Sequence, residues 1–273
     1  MPLLEANNLS ISFGGLKAVC DFSLSLEMGV LYGLIGPNGA GKTTCFNLLT
    51  GVYRPDVGSI TLAGKSLVGR RPHEIARAGL SRTFQNIRLF ADLSVLDNVR
   101  IACHLRIRHG LCSTLLRLPI HLREERALTD RAMHLLELFG LAHLQEERAS
   151  SLPYGDQRRL EIARALATQP KVLLLDEPAA GMNPAEKYTL RQLIRQVMKQ
   201  FELSILLIEH DMSVVMDICE HITVLDFGQT IARGTPAEIQ SNPRVIEAYL
   251  GTAAASVDEV IAHDRADDAG GAR

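Results

Sequence analysis

Leu31-Tyr32-Gly33-Leu34-Ile35-Gly36-Pro37-Asn38-Gly39-Ala40-Gly41-Lys42-Thr43-Thr44 is a strand-length apolar run that opens into a glycine-rich loop. The loop fits G-x-x-x-x-G-K-[ST], with Gly36, Gly41, Lys42 and Thr43 at the fixed positions. A triphosphate needs closely spaced donors, which a loop poor in side chains offers through its backbone N–H groups. Glycine permits that approach, and a helix starting near Gly41 points its positive end at the same phosphates. Lys42 is expected to reach the β- and γ-phosphates, and the Thr43 hydroxyl to bind Mg²⁺. Gly36, Pro37, Asn38, Gly39, Ala40, Gly41, Lys42, Thr43 and Thr44 are therefore the candidate cradle of a nucleotide.

Three more short apolar runs follow: Val172 to Leu175, Ser204 to Ile208, and Ile222 to Leu225, the last with a turn signal at Gly228. Strands this apolar, spaced by helical stretches, predict an α/β fold with a mostly parallel sheet covered on both faces. Val172-Leu173-Leu174-Leu175 ends in Asp176-Glu177. Successive strand residues point opposite ways, so the two carboxylates can divide the work. Asp176 is placed to hold Mg²⁺ and Glu177 to orient and deprotonate an attacking water. Leu206-Leu207-Ile208 ends likewise in Glu209-His210. His210 is a candidate γ-phosphate contact that also positions the water of Glu177.

From about residue 86 to 165 the pattern is helical: Leu128, Ala132, Leu135, Leu136 and Phe139 recur at helical spacing and Gly140 follows as a cap. After Gly251 periodicity is lost. Residues 252–273, with five acidic and two basic side chains, read as a mobile acidic tail. The whole chain has 29 Lys+Arg against 31 Asp+Glu, a net charge of −2. That balance speaks against a basic nucleic-acid binder. No apolar run is long enough to span a bilayer, and Met1 to Ser10 lack a secretory pattern. The scattered cysteines Cys20, Cys45, Cys103, Cys112 and Cys219 form no CxxC pair and read as reduced, buried thiols of a cytosolic protein.

These motifs, in this order, resemble the nucleotide-binding subunit of an ATP-binding cassette (ABC) transporter, a P-loop NTPase, over residues 3–251. The resemblance implies a mostly parallel sheet core, an antiparallel β subdomain and a helical signature subdomain at about 86–165. It makes 227–251 a family-type C-terminal segment. It also makes Leu152-Pro153-Tyr154-Gly155-Asp156-Gln157 the signature loop, placing Tyr154, Gly155 and Asp156 against ATP. Gln85, in Arg82-Thr83-Phe84-Gln85, becomes the glutamine that contacts Mg²⁺ and links the site to the membrane partner. Phe13 becomes the aromatic that stacks on adenine, and Asn183 stands where the family usually has Asp. Pro153 replaces the usual Ser, Tyr154 the first Gly, and Asp156 the Gln of the signature. Gly155 and the helix start behind it remain to bind phosphate through N–H groups.

Pro153 to Arg164, Asp176 to Pro184, Ile208 to Met212 and the ending Gly234 to Gly251 are most similar to bacterial branched-chain amino acid uptake systems, in particular to the longer of their two ATPases. The resemblance implies ATP and Mg²⁺ as ligands and two ATPase subunits facing head to tail. The partner is a second ABC ATPase, as a heterodimer, or as a homodimer in isolation. Two transmembrane permeases and, indirectly, a substrate-binding protein complete the system, and the chain would lie peripherally on the cytoplasmic face of the bacterial inner membrane. Related systems for urea or amide import or lipopolysaccharide export, and soluble non-transport ABC ATPases, remain as alternatives. Residues 100–126 hold six Arg, no Lys and two Glu, read as a solvated helix pair or as a segment near anionic lipid or the permeases.

Overall fold

The computed structural model describes residues 2–106 and 119–250. Arg108, Cys112 and Arg117, and the acidic tail 252–273, lie outside the described residues. Two sheets carry the fold. The larger has six strands in the order β10-β9-β3-β8-β7-β6: β3 (Leu31–Ile35), β6 (Leu80–Arg82), β7 (Val172–Asp176), β8 (Ser204–Ile208), β9 (His221–Asp226) and β10 (Gln229–Gly234). All neighbours pair parallel except the hairpin β9–β10. The smaller sheet is antiparallel, in the order β2-β1-β4-β5: β1 (Leu4–Phe13), β2 (Leu16–Leu26), β4 (Val57–Leu62) and β5 (Lys65–Ser66).

The apolar runs at 172 and 204 are central strands, buried at every residue. Their side chains alternate between two cores, as a two-residue period demands. Leu173, Leu175, Ile205 and Leu207 enter one core with the helices. Val172, Leu174, Leu206 and Ile208 enter the other, with the antiparallel sheet and α1 (Lys42–Leu49). A one-residue slip of register would exchange the two sets, so burial on both faces fixes the pairing.

The remaining helices are α2 (Pro72–Ala78), α3 (Val95–Cys103), α4 (Pro119–Leu138), α5 (Tyr154–Ala167), α6 (Pro184–Phe201), α7 (Met212–Ile218) and α8 (Pro236–Gln240), followed by a helical run at 243–250. In the expected helical region, α3, α4 and α5 pack together, and the one β element there among the described residues is an isolated bridge between Ser94 and Arg148. Ser94 caps α3 by accepting from the Asp97 N–H at 3.0 Å. Ala132, Leu135, Leu136 and Phe139 are buried, and Gly140 ends the segment at φ 69°. Arg100 bridges Asp97 (2.9 Å) and Glu125 (3.2 Å), so this arginine of the basic stretch is held by local acids. Cys45, Cys103 and Cys219 are buried and Cys20 is half-buried, all with free thiols.

Candidate functional site

Parallel pairing places Leu34 beside Ile208 and Asp176 beside Ile208, so β3, β7 and β8 end side by side. The segments leaving those ends are the glycine loop, Glu177 and Glu209-His210. This is where open parallel sheets bind ligands.

The loop is shaped by its glycines and pinned at two points. Gly36 has φ 152° and Gly41 φ 99°. A Cβ at Gly36 would fall 2.1 Å from the Leu225 carbonyl oxygen, and one at Gly41 2.7 Å from that of Ala18. The turn after β9 holds the loop's far side, since the Gly228 N–H donates to the Ala40 carbonyl at 3.0 Å. Lys42 is buried and donates from Nζ to the carbonyls of Gly36 (2.6 Å) and Pro37 (2.8 Å). Burial pulls its ammonium below the ordinary lysine range, opposed by the nearby Glu177 and Asp176 carboxylates. Thr43 is exposed and Thr44 half-buried on the first turn of α1.

Gly36→Ala is expected to weaken ATP binding at least about tenfold, about 1.4 kcal/mol, because backbone would have to move. Gly39→Ala, where a Cβ meets nothing within 4 Å at φ 79°, carries only the left-handed penalty of about 1–2 kcal/mol in stability. Titrating both variants with a fluorescent ATP analogue checks the difference.

The two residues of the acidic pair sit in different surroundings. Asp176 is buried and accepts from Arg82 Nη2 at 2.6 Å. Arg82 also donates to Asn47 Oδ1 at 2.7 Å and lies between the Phe46 and Phe84 rings, 5.3 Å from each centroid. Glu177 has a left-handed backbone at φ 47°, a conformation costing a non-glycine residue about 1–3 kcal/mol. Its N–H donates to the Ile208 carbonyl at 2.9 Å, which turns the carboxylate out of the sheet. There Glu177 Oε2 accepts from Gln85 Nε2 at 3.0 Å and lies 3.7 Å from His210 Nδ1. Gln85, Glu177 and His210, far apart in sequence, thus converge. Buried Glu209 accepts from the Ala179 N–H at 2.7 Å, fixing the turn beyond Glu177, and burial pushes its carboxyl above the usual range.

Other predicted residues lie elsewhere. Phe13 ends β1, exposed and edge-on to Tyr53, with ring centroids 5.1 Å apart. Tyr154, Gly155 and Asp156 form the first turn of α5, whose N-terminus carries no side-chain cap. Among the described residues no hydrogen bond or ion pair joins this turn to residues 36–44. Asp156 pairs with Arg159 of its own helix. Asn183 starts α6 in a reciprocal cap with Glu186. One feature escaped sequence reasoning: Arg158 and Glu161 of α5 are buried, and both grip the segment carrying Gln85. Arg-Arg-Leu-Glu on a helix reads as a solvated face, and only their simultaneous burial marks them.

The ABC transporter family model matches residues 19–180, and the model for the branched-chain amino acid ATP-binding cassette transporter matches residues 229–255. The high-affinity branched-chain amino acid transport ATP-binding protein LivG of Salmonella typhimurium is 50% identical over 252 residues, 92% of this chain and 99% of its own. The lipopolysaccharide export system ATP-binding protein LptB of Escherichia coli is 37% identical over 251 residues, 92% of this chain and 98% of its own. Among solved structures, the ADP conformation of MJ1267, an ATP-binding cassette of an ABC transporter, superposes with a TM-score of 0.80 at 30% identity over 92% of this chain and 99% of that one. Matched by that family model over more than half of its length and by a transport ATPase at 50% identity over nearly all of it, the chain belongs to the ABC transporter ATPase family, whose members bind nucleotide and hydrolyse ATP to power transport.

Proposed function

We propose that this chain is the Mg²⁺-dependent ATP-hydrolysing subunit of an importer for branched-chain amino acids. The convergence of Gln85, Glu177 and His210 beside the Lys42 loop supports the hydrolytic part. The cargo follows from the relatives: 50% identity to LivG against 37% to LptB, with a C-terminal match at 229–255.

In this reading the loop N–H groups and Lys42 hold the triphosphate, and Lys42 exchanges its two loop carbonyls for phosphate oxygens. Glu177 takes the proton of the attacking water, and His210 fixes the water and the γ-phosphate. Thr43, Gln85 and Asp176 would hold Mg²⁺; their donors are hydroxyl, amide and carboxylate oxygens, the set a hard cation prefers. Among the described residues no cluster of three or more His, Cys, Asp or Glu could cage a metal. Bound at Thr43, Gln85 and Asp176, the ion would neutralise charge developing on the transferred phosphoryl group. Phe13 would stack on adenine, and the uncapped N-terminus at Tyr154, Gly155 and Asp156 would face the γ-phosphate of the opposing subunit's ATP.

That opposing subunit is a second ABC ATPase, in a heterodimer or, for the isolated chain, a homodimer. Two permeases are the membrane partners. Beside Gln85, a groove of 460 Å³ is lined by Phe84, Arg88, Phe90, Ile101 and Arg164. Phe90 and Ile101 are exposed there, suiting a helix with an apolar face and an acidic residue. No described helix is long and apolar enough to cross a membrane. The site would then lie on the cytoplasmic face of the inner membrane.

The test is recovery of the tagged chain from gently solubilised native membranes, with partners identified by mass spectrometry. Two multi-span permeases of an amino-acid importer and a second ATPase are expected. Lipopolysaccharide-export permeases would replace the cargo assignment, and recovery of ribosomes or nucleic acid without permeases would overturn the transporter reading.

A further inference from the structure

Phe13 is the last residue of β1, and the chain turns away from it at once through Gly14 and Gly15, at φ 52° and 91°. Its ring is 43% exposed and belongs to neither core. Its ring contact comes from the connection between α1 and β4, where Tyr53 sets its own ring 5.1 Å away with the planes at 66°. The same connection grips the backbone just before Phe13. The Asp56 N–H donates to the Ser10 carbonyl at 2.9 Å, and Asp56 Oδ2 accepts from the Ser12 N–H at 2.9 Å. At its other end the connection is fastened to α1, since the Val52 and Tyr53 N–H groups both donate to the Asn47 carbonyl, at 2.9 and 3.1 Å. That helix begins with Lys42. Residues 52–56 therefore reach from the phosphate helix to the ring at the end of β1. Tyr53, like Phe13, lies outside both cores, and its hydroxyl makes no hydrogen bond among the described residues.

We propose that Tyr53 is a positioning residue for the base: anchored on the phosphate helix, it fixes the plane of the Phe13 ring so that one face stands ready for adenine while residues 36–44 take the phosphates. The inference rests on the reading above in which Phe13 stacks on adenine. An exposed ring that ends a strand at a double-glycine turn has no packing of its own to fix its plane. An edge-to-face partner supplies that restraint without covering both faces. A ring fixed beforehand also spares the ordering cost that a free side chain would incur when the base arrives. The hairpin carrying Phe13 meets the loop directly as well, because a Cβ at Gly41 would fall 2.7 Å from the Ala18 carbonyl oxygen. Base and phosphate subsites are thus joined twice, through Ala18 against Gly41 and through Tyr53 on α1. Two half-exposed rings outside the cores contribute little to folding, which leaves the nucleotide as the reason for pairing them.

The experiment titrates the full chain by calorimetry with ADP and with inorganic pyrophosphate, which share a diphosphate and differ by the base and ribose. Phe13→Ala is expected to weaken ADP binding about tenfold, the usual worth of a stacked base. Tyr53→Ala is expected to weaken it about three- to tenfold. Tyr53→Phe keeps the ring and drops only the unbonded hydroxyl, and is expected to stay within about twofold of wild type. Pyrophosphate affinity is expected to change by less than about twofold in all three. Phe13→Ala/Tyr53→Ala should bind ADP within about twofold of Phe13→Ala alone, because Tyr53 acts through that ring. Four results overturn the positioning role while Phe13→Ala keeps its loss: Tyr53→Ala at wild-type ADP affinity, equal losses for ADP and pyrophosphate in Tyr53→Ala, additive losses in the double variant, or Tyr53→Phe falling as far as Tyr53→Ala. If Phe13→Ala itself binds ADP as wild type does, the stacking reading fails and the inference with it.

Discussion

Glu177→Gln should lower MgATP turnover by about 10²–10⁴-fold, the usual worth of a positioned general base, while leaving nucleotide affinity nearly intact. The replacement keeps the side chain's shape and its place beside Gln85 and His210. It removes only the capacity to accept the water's proton. Because the strained backbone at φ 47° is set by the chain rather than by the carboxylate, the fold should be unaffected. A steady-state phosphate-release assay beside an equilibrium ATP titration checks both halves. A variant that lost binding and turnover together would place Glu177 in the cradle instead of at the water.

Arg158→Ala should have the largest effect on stability, a loss of about 3–5 kcal/mol. Glu161 would be left as a buried carboxylate without its cation, and the carbonyls of Phe84 and Gln85 would lose their donor. Arg158→Met/Glu161→Met should recover most of that loss, since apolar chains of similar volume remove both desolvation penalties. Urea midpoints read at constant slope give the comparison. Equal loss in the single and double variants would mean that the pair matters for packing alone. Exposed pairs such as Arg71–Glu74 offer the control, because they contribute little in solvent.

The legible part of the molecule was the part written locally. Glycines at fixed spacing after an apolar strand, and carboxylates closing another, carry their chemistry in a few consecutive residues. Strands β3, β7 and β8 could be read because burial on both faces leaves them almost uniformly apolar. Three-residue β6 is too short to carry a pattern, yet it supplies Arg82 to Asp176. The buried Arg158–Glu161 pair was hidden for a different reason. Arg158 and Glu161 are buried by a loop some seventy residues upstream, and nothing in a helix's own spacing records what another segment lays across it. The left-handed turn at Glu177 was equally silent, because acidic residues rarely advertise positive φ. Phe13, by contrast, rests on family resemblance; the structure shows its ring exposed and set edge-on to Tyr53.

Hydrolysis of ATP at Glu177 is the step proposed to drive branched-chain amino acid import. Its most direct test is leucine uptake into proteoliposomes holding the assembled complex, with MgATP on the side of this chain and the binding protein on the other. Uptake is expected to need ATP and to fall to background in the Glu177→Gln complex. Leucine uptake at the wild-type rate with Glu177→Gln, or ATP hydrolysis unaccompanied by any leucine movement, would contradict it.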